Sequence, residues 1–115
     1  MKSRYVEPDG LLFIELTEDI DHHETEILRR MMDNEVERYM PRKVIPDFSR
    51  VLFMDSAGIG LVLGRYKFCK MLGTQMEITN LKPSVKKIFE MSGLLKIIPI
   101  TNEYAKRLME NPCQS

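Results

Sequence analysis

The residues in this chain that could do chemistry converge on one short string, Phe53-Met54-Asp55-Ser56-Ala57-Gly58-Ile59-Gly60. A hydroxyl directly after a carboxylate, followed by two glycines, admits three roles for Ser56. As a helix cap, its side-chain oxygen would accept from an early helix N–H, a bond worth about 1 kcal/mol. As a nucleophile, it would need a strand-turn-helix elbow and a base. Met54 stands where the elbow motif wants glycine, and the two histidines, His22 and His23, are adjacent in sequence at a predicted helix start. As a modification site, it would sit exposed at a helix start, where Gly58 and Gly60 leave the backbone open to another protein's active site. A phosphate there adds a charge of about −1.5 to −2. The helix N–H groups would favour that charge and Asp55 would oppose it.

The remaining candidates are weaker. His22 and His23 point about 100° apart if helical, so they do not readily share a metal, and no metal site is expected. Cys69 and Cys113 lie outside any CxxC or Cys/His cluster and read as free thiols in a reducing compartment. Gly58 and Gly60 lack the third glycine of a dinucleotide fingerprint, and no lysine stands where a phosphate-binding loop would need it. Gly60 and Gly64, one helical turn apart, read as a smooth stripe against which another backbone, most simply the domain's own sheet, could pack.

These residues need elements to position them. The apolar run 11–16 predicts a strand, paired through Asp9-Gly10 with a weaker strand before it as an edge hairpin. Ile27, Leu28, Met31, Met32, Val36, Tyr39 and Met40 recur at helical spacing and predict an amphipathic helix over 22–39, with polar residues such as Asp33 in the gaps. Asp21 with Glu24 resembles a capping box, and Pro41 ends the pattern. Residues 43–48 predict a strand in which Pro46 belongs at an edge, an end or a bulge. After the Ser56 string, a helix places Ile59, Val62, Leu63, Tyr66 and Cys69 on one face and Arg65, Lys67 and Lys70 elsewhere, ending at Gly73. A strand over 75–81, a helix from Pro83 to Gly93 with Val85, Ile88 and Phe89 inward, a strand over 95–100 and a short helix over 102–110 follow. Residues 111–115 read as a frayed tail. Met54 and Met91, near strand ends, could serve an adaptable surface.

Strands alternating with helices of ten or more residues imply a mixed, mostly parallel sheet in a single α/β domain spanning 1–115. In such sheets, functional groups collect beyond the carboxyl ends of the strands, where the Ser56 string falls. The 115 residues are 43% apolar and carry 17 basic and 17 acidic side chains, so there is no global field to attract nucleic acid. No apolar run approaches the ~20 residues of a membrane span. A cytoplasmic protein is expected, with proteins or small molecules as partners.

The string 53–67, FMDSAGIGLVLGRYK, resembles the signature of the bacterial STAS domain, in its branch of anti-sigma factor antagonists of sporulation in the sigma-F pathway. IDHHETE (20–26) and VKKIFEMSGLLKII (85–98) extend the resemblance from about Leu11 to Ile100. The resemblance implies a regulatory protein with no cofactor of its own, not an enzyme. It implies that Ser56 is phosphorylated by a partner, both anti-sigma factor and serine kinase, that holds ATP and magnesium. The unphosphorylated form would bind that partner and release the sigma factor, and a serine phosphatase would restore it. Asp21, His22, His23, Asp55, Ser56, Ala57, Gly58 and Gly60 would form the partner surface, with Asp21 meeting an arginine. Ala57 replaces a second serine common in the family, which leaves Ser56 as the motif's one hydroxyl. Pro46 interrupts a strand that is usually unbroken. A ligand- or nucleotide-sensing module of the same fold and a small serine hydrolase are the other readings.

Overall fold

The computed structural model describes residues 1–17, 19–21 and 23–101. Along the chain lie β1 (Lys2–Val6), β2 (Leu11–Glu15), α1 (Thr25–Tyr39), β3 (Lys43–Asp47), α2 (Ser56–Met71), β4 (Gln75–Met76) and α3 (Pro83–Ser92), followed by a 3-10 turn at Leu94–Lys96. The sheet order is β1-β2-β3-β4, antiparallel at the first step and parallel at the next two. The mixed, mostly parallel α/β sheet with an edge hairpin is thus as the sequence predicts. The predicted helix at 102–110, Cys113 and the 111–115 tail lie outside the described residues.

The unbroken apolar run of β2 has a physical reason: both faces of the strand are buried. Leu12 and Ile14 join the main core with Val44, Met32, Val36, Leu61, Val62, Val85 and Phe89. Leu11 and Phe13, pointing the other way, pack with Val6 and Ile45 in a second cluster. Gly10 closes the hairpin with φ +69°, its N–H donating to the Val6 carbonyl, and an added Cβ would come within 3.2 Å of the Arg42 Cβ. Here the turn itself requires glycine.

Several expectations are corrected. Helix α1 begins at Thr25, three residues after the predicted start, because Asp21 first turns the chain: its carboxylate accepts from the N–H groups of His23 (2.9 Å) and Glu24 (3.2 Å). Of its predicted inward residues, Met32 and Val36 are buried, whereas Ile27, Met31 and Met40 are exposed. Pro46 occupies an inner strand, not an edge. It is tolerated near the end of β3, where the ladder to β4 is interrupted: regular pairing stops at Met76, and an isolated bridge joins Asp47 to Thr79. The Pro46 carbonyl still accepts from the Thr79 N–H at 3.1 Å. The strand predicted over 75–81 is regular for two residues, and that over 95–100 is replaced by the 3-10 turn and a single bridge between Ile78 and Ile100. Pro99 lacks the N–H a longer ladder would use, although its carbonyl accepts from Ile78.

Candidate functional site at the carboxyl edge of the sheet

Past the carboxyl ends of β2 and β3, two loops are joined. Ile20 bridges Met54, the Ile20 N–H donates to the Phe53 carbonyl at 3.1 Å, and the Asp55 N–H reaches the Ile20 carbonyl at 3.4 Å. This junction brings Asp21 to the edge that carries Asp55 and Ser56. His23 is exposed on the same loop, and His22 lies outside the described residues.

Asp55, not Ser56, caps α2. Its backbone is extended (φ −103°, ψ −170°), and its carboxylate accepts from Ala57 N–H at 2.9 Å and Gly58 N–H at 3.3 Å. Ser56 is therefore the first helical residue, exposed, and relieved of the capping role. The carboxylate is the better acceptor, and it supplies the negative charge that a helix N-terminus favours.

The glycines divide differently from the sequence expectation. Gly58 is buried, and an added Cβ would lie 2.2 Å from Met54 Cγ and 2.8 Å from its Sδ. Gly58 exists to let α2 rest on Met54, which is 1% exposed and belongs to the core, not to an adaptable surface. Met91 does face solvent. Among the described residues, an added Cβ at Gly60 or Gly64 would meet nothing within 4 Å, so this stripe is not packed against the domain's own sheet. Gly60 leaves the surface beside Ser56 flat.

The loop before the cap presents two large apolar side chains to solvent, Leu52 (65% exposed) and Phe53 (54%). Sequence reasoning gave no role to Leu52, to the Phe53 side chain or to Asp19, whose Oδ1 accepts from the N–H groups of Leu52 and Phe53 at 3.1 Å each. A bare Leu-Phe pair carries no signal in the sequence alone, since apolar residues are usually read as core.

Farther along α2, Arg65 also departs from expectation. It turns inward, 9% exposed, with Nε 2.7 Å from Asp33 Oδ1 on α1. The approach is close but poorly aligned for a hydrogen bond, so charge holds the pair. Burial pushes the Asp33 carboxyl above its ordinary value, against the pull of Arg65. Burial likewise pushes the nearby Cys69 thiol up to about 11, which makes it a packing group rather than a nucleophile at neutral pH. Among the described residues, no group of three or more His, Cys, Asp or Glu side chains could hold a metal ion, and no helix is long and apolar enough to cross a membrane.

Comparison with known proteins places this geometry. A family model described as the STAS domain matches residues 2–106. The anti-sigma F factor antagonist of Paenibacillus polymyxa is 35% identical over 101 residues, covering 88% of this chain and 86% of that protein. The structure of the anti-sigma factor antagonist SpoIIAA in its unphosphorylated form superposes with a TM-score of 0.75 at 26% identity, covering 99% of this chain and 98% of the other. That of the Bacillus cell fate determinant SpoIIAA in the phosphorylated form gives 0.67 at 28% identity, covering 94% and 97%.

Proposed function

The chain belongs to the STAS domain family, and from that premise we propose that it is an anti-sigma factor antagonist controlled by phosphorylation of Ser56. It is a regulator and not an enzyme, as its relatives are. Its partner is an anti-sigma factor that is also a serine kinase. That partner supplies ATP and magnesium; this chain supplies the acceptor oxygen. In the unmodified state it engages the anti-sigma factor in the cytoplasm and frees the sigma factor. A serine phosphatase reverses the modification.

The observation that carries this reading is the division of labour at the start of α2. Asp55 takes the cap, which leaves the Ser56 hydroxyl exposed on a helix end that does not depend on it. A phosphoryl group on Ser56 would place about −1.5 to −2 charge beside the Asp55 carboxylate, whose acceptance from the first helix amides already satisfies much of the end's demand for negative charge. The domain can leave that charge in water. A partner pressed onto the corner would have to desolvate it, which is costly without a matching cation. Modification thus weakens binding without unfolding the domain. Asp21, His22, His23, Ala57, Gly58 and Gly60 complete the proposed surface, with Gly58 acting from below through its seat on Met54.

Incubation with the cognate anti-sigma factor, ATP and magnesium, followed by intact-mass and peptide mapping, should show one phosphoryl group on Ser56 and none on Ser56→Ala. Phosphate on another residue, or none on the wild type, would refute the assignment.

A further inference from the structure

The tip formed by Leu52 and Phe53 combines two properties that seldom occur together in a connecting loop. Both side chains stand in solvent, 65% and 54% exposed, while all four backbone polar groups are engaged. The two N–H groups donate to the same Asp19 oxygen at 3.1 Å. The Leu52 carbonyl accepts from Ser84 Oγ at 3.4 Å, and the Phe53 carbonyl accepts from Ile20 N–H at 3.1 Å. A loop that merely connects has no need to display apolar groups on so firmly held a backbone. A rigid apolar anchor, by contrast, loses little conformational entropy when it enters a pocket. Aromatic anchors dominate many interfaces for that reason.

The place of the tip says what it meets. Phe53 lies three residues before Ser56, and the intervening Met54 and Asp55 are fixed by the bridge to Ile20 and by the α2 cap. Three residues from Ser56 and exposed like it, the tip is within reach of a protein whose catalytic centre engages the Ser56 hydroxyl. We propose that Leu52 and Phe53 are the apolar docking element for the kinase, filling a pocket beside its catalytic centre, and that Asp19 is the positioning residue that holds them there. This rests on the reading of Ser56 as the phosphoacceptor. Asp19 acts through the loop and touches no reacting atom, so its loss should weaken docking and leave the chemical step intact.

The test is steady-state phosphorylation by the cognate anti-sigma factor kinase with ATP and magnesium. Phe53→Ser should raise KM for this protein about tenfold with kcat within about twofold, the pattern of lost uniform binding. Asp19→Ala should do nearly the same, Asp19→Asn, which keeps a neutral acceptor, should fall between, and Asp19→Ala with Phe53→Ser should be no worse than Phe53→Ser alone. Val36→Ala, a core truncation away from the edge, supplies a destabilised control whose KM should match wild type. A wild-type KM in both Phe53→Ser and Asp19→Ala, with Ser56 normally phosphorylated, overturns the inference and leaves the phosphoswitch standing. A KM rise in Asp19→Ala no larger than in an equally destabilised Val36→Ala overturns the positioning role. Failure of the wild type to accept phosphate on Ser56 removes the switch itself, and the docking element with it.

Discussion

The start and the middle of helix α2 are built to opposite specifications. At Arg65 the helix is locked to its neighbour: this arginine, 9% exposed, is pressed against Asp33 of α1, with Cys69 sealed beside them. At Ser56 the helix is open, with its cap made internally by Asp55, its first side chain in solvent, and bare space over Gly60. A residue can be chemically altered without cost to the fold only where the fold does not depend on it. The difference teaches that the anchoring of α2 is placed away from the corner proposed to change charge, so modification there would cost the fold little.

Substitutions along the helix should break or sharpen this contrast. The largest effect is expected from Arg65→Ala, which strands the Asp33 carboxylate in a largely buried site. Breaking such a pair from one side should lower unfolding free energy by about 3 kcal/mol in urea denaturation. Replacing both partners with apolar residues should recover most of it. Next is Gly58→Val, whose Cβ cannot coexist with Met54 in its present position. Overpacking of this kind should cost about 2 kcal/mol by thermal or chemical unfolding, and Met54→Ala should partly relieve it. Asp55→Ala removes the cap and should cost about 1 kcal/mol. Gly60→Ala should have the opposite sign, a gain of about 0.5 to 1 kcal/mol, since alanine is the better helix former and nothing opposes its methyl group. A large loss at Gly60 would mean that the open start is as constrained as the locked middle.

How much of this was legible in the sequence depended on whether the signal was local. The edge hairpin could be read from Asp9-Gly10 between two strand-forming runs, and α3 from Pro83 and Gly93 at its two ends. The junction at 53–60 could be found because strand formers run directly into glycines and helical spacing. What could not be read was decided by contacts between distant segments. Whether Asp55 or Ser56 takes the cap depends on the extended backbone at Asp55, which the loop around Ile20 helps to hold. Arg65 looked like a solvent residue because its partner is on another helix, 32 positions away. Gly58 and Gly60 are the same residue type two positions apart, yet one is a packing requirement and the other is open surface. Spacing alone could not separate them. The missing strand over 95–100 failed for a plainer reason: an apolar run this short suits a 3-10 turn anchored by one buried residue, Leu94, as well as a strand.

The central claim is that charge on Ser56 acts on the partner and not on the fold. It is tested most directly by calorimetric titration of the cognate anti-sigma factor with the unmodified and the Ser56-phosphorylated protein. The account predicts that the phosphorylated form binds at least about tenfold more weakly, a difference of about 1.4 kcal/mol or more. Equal affinity of the two forms would contradict it.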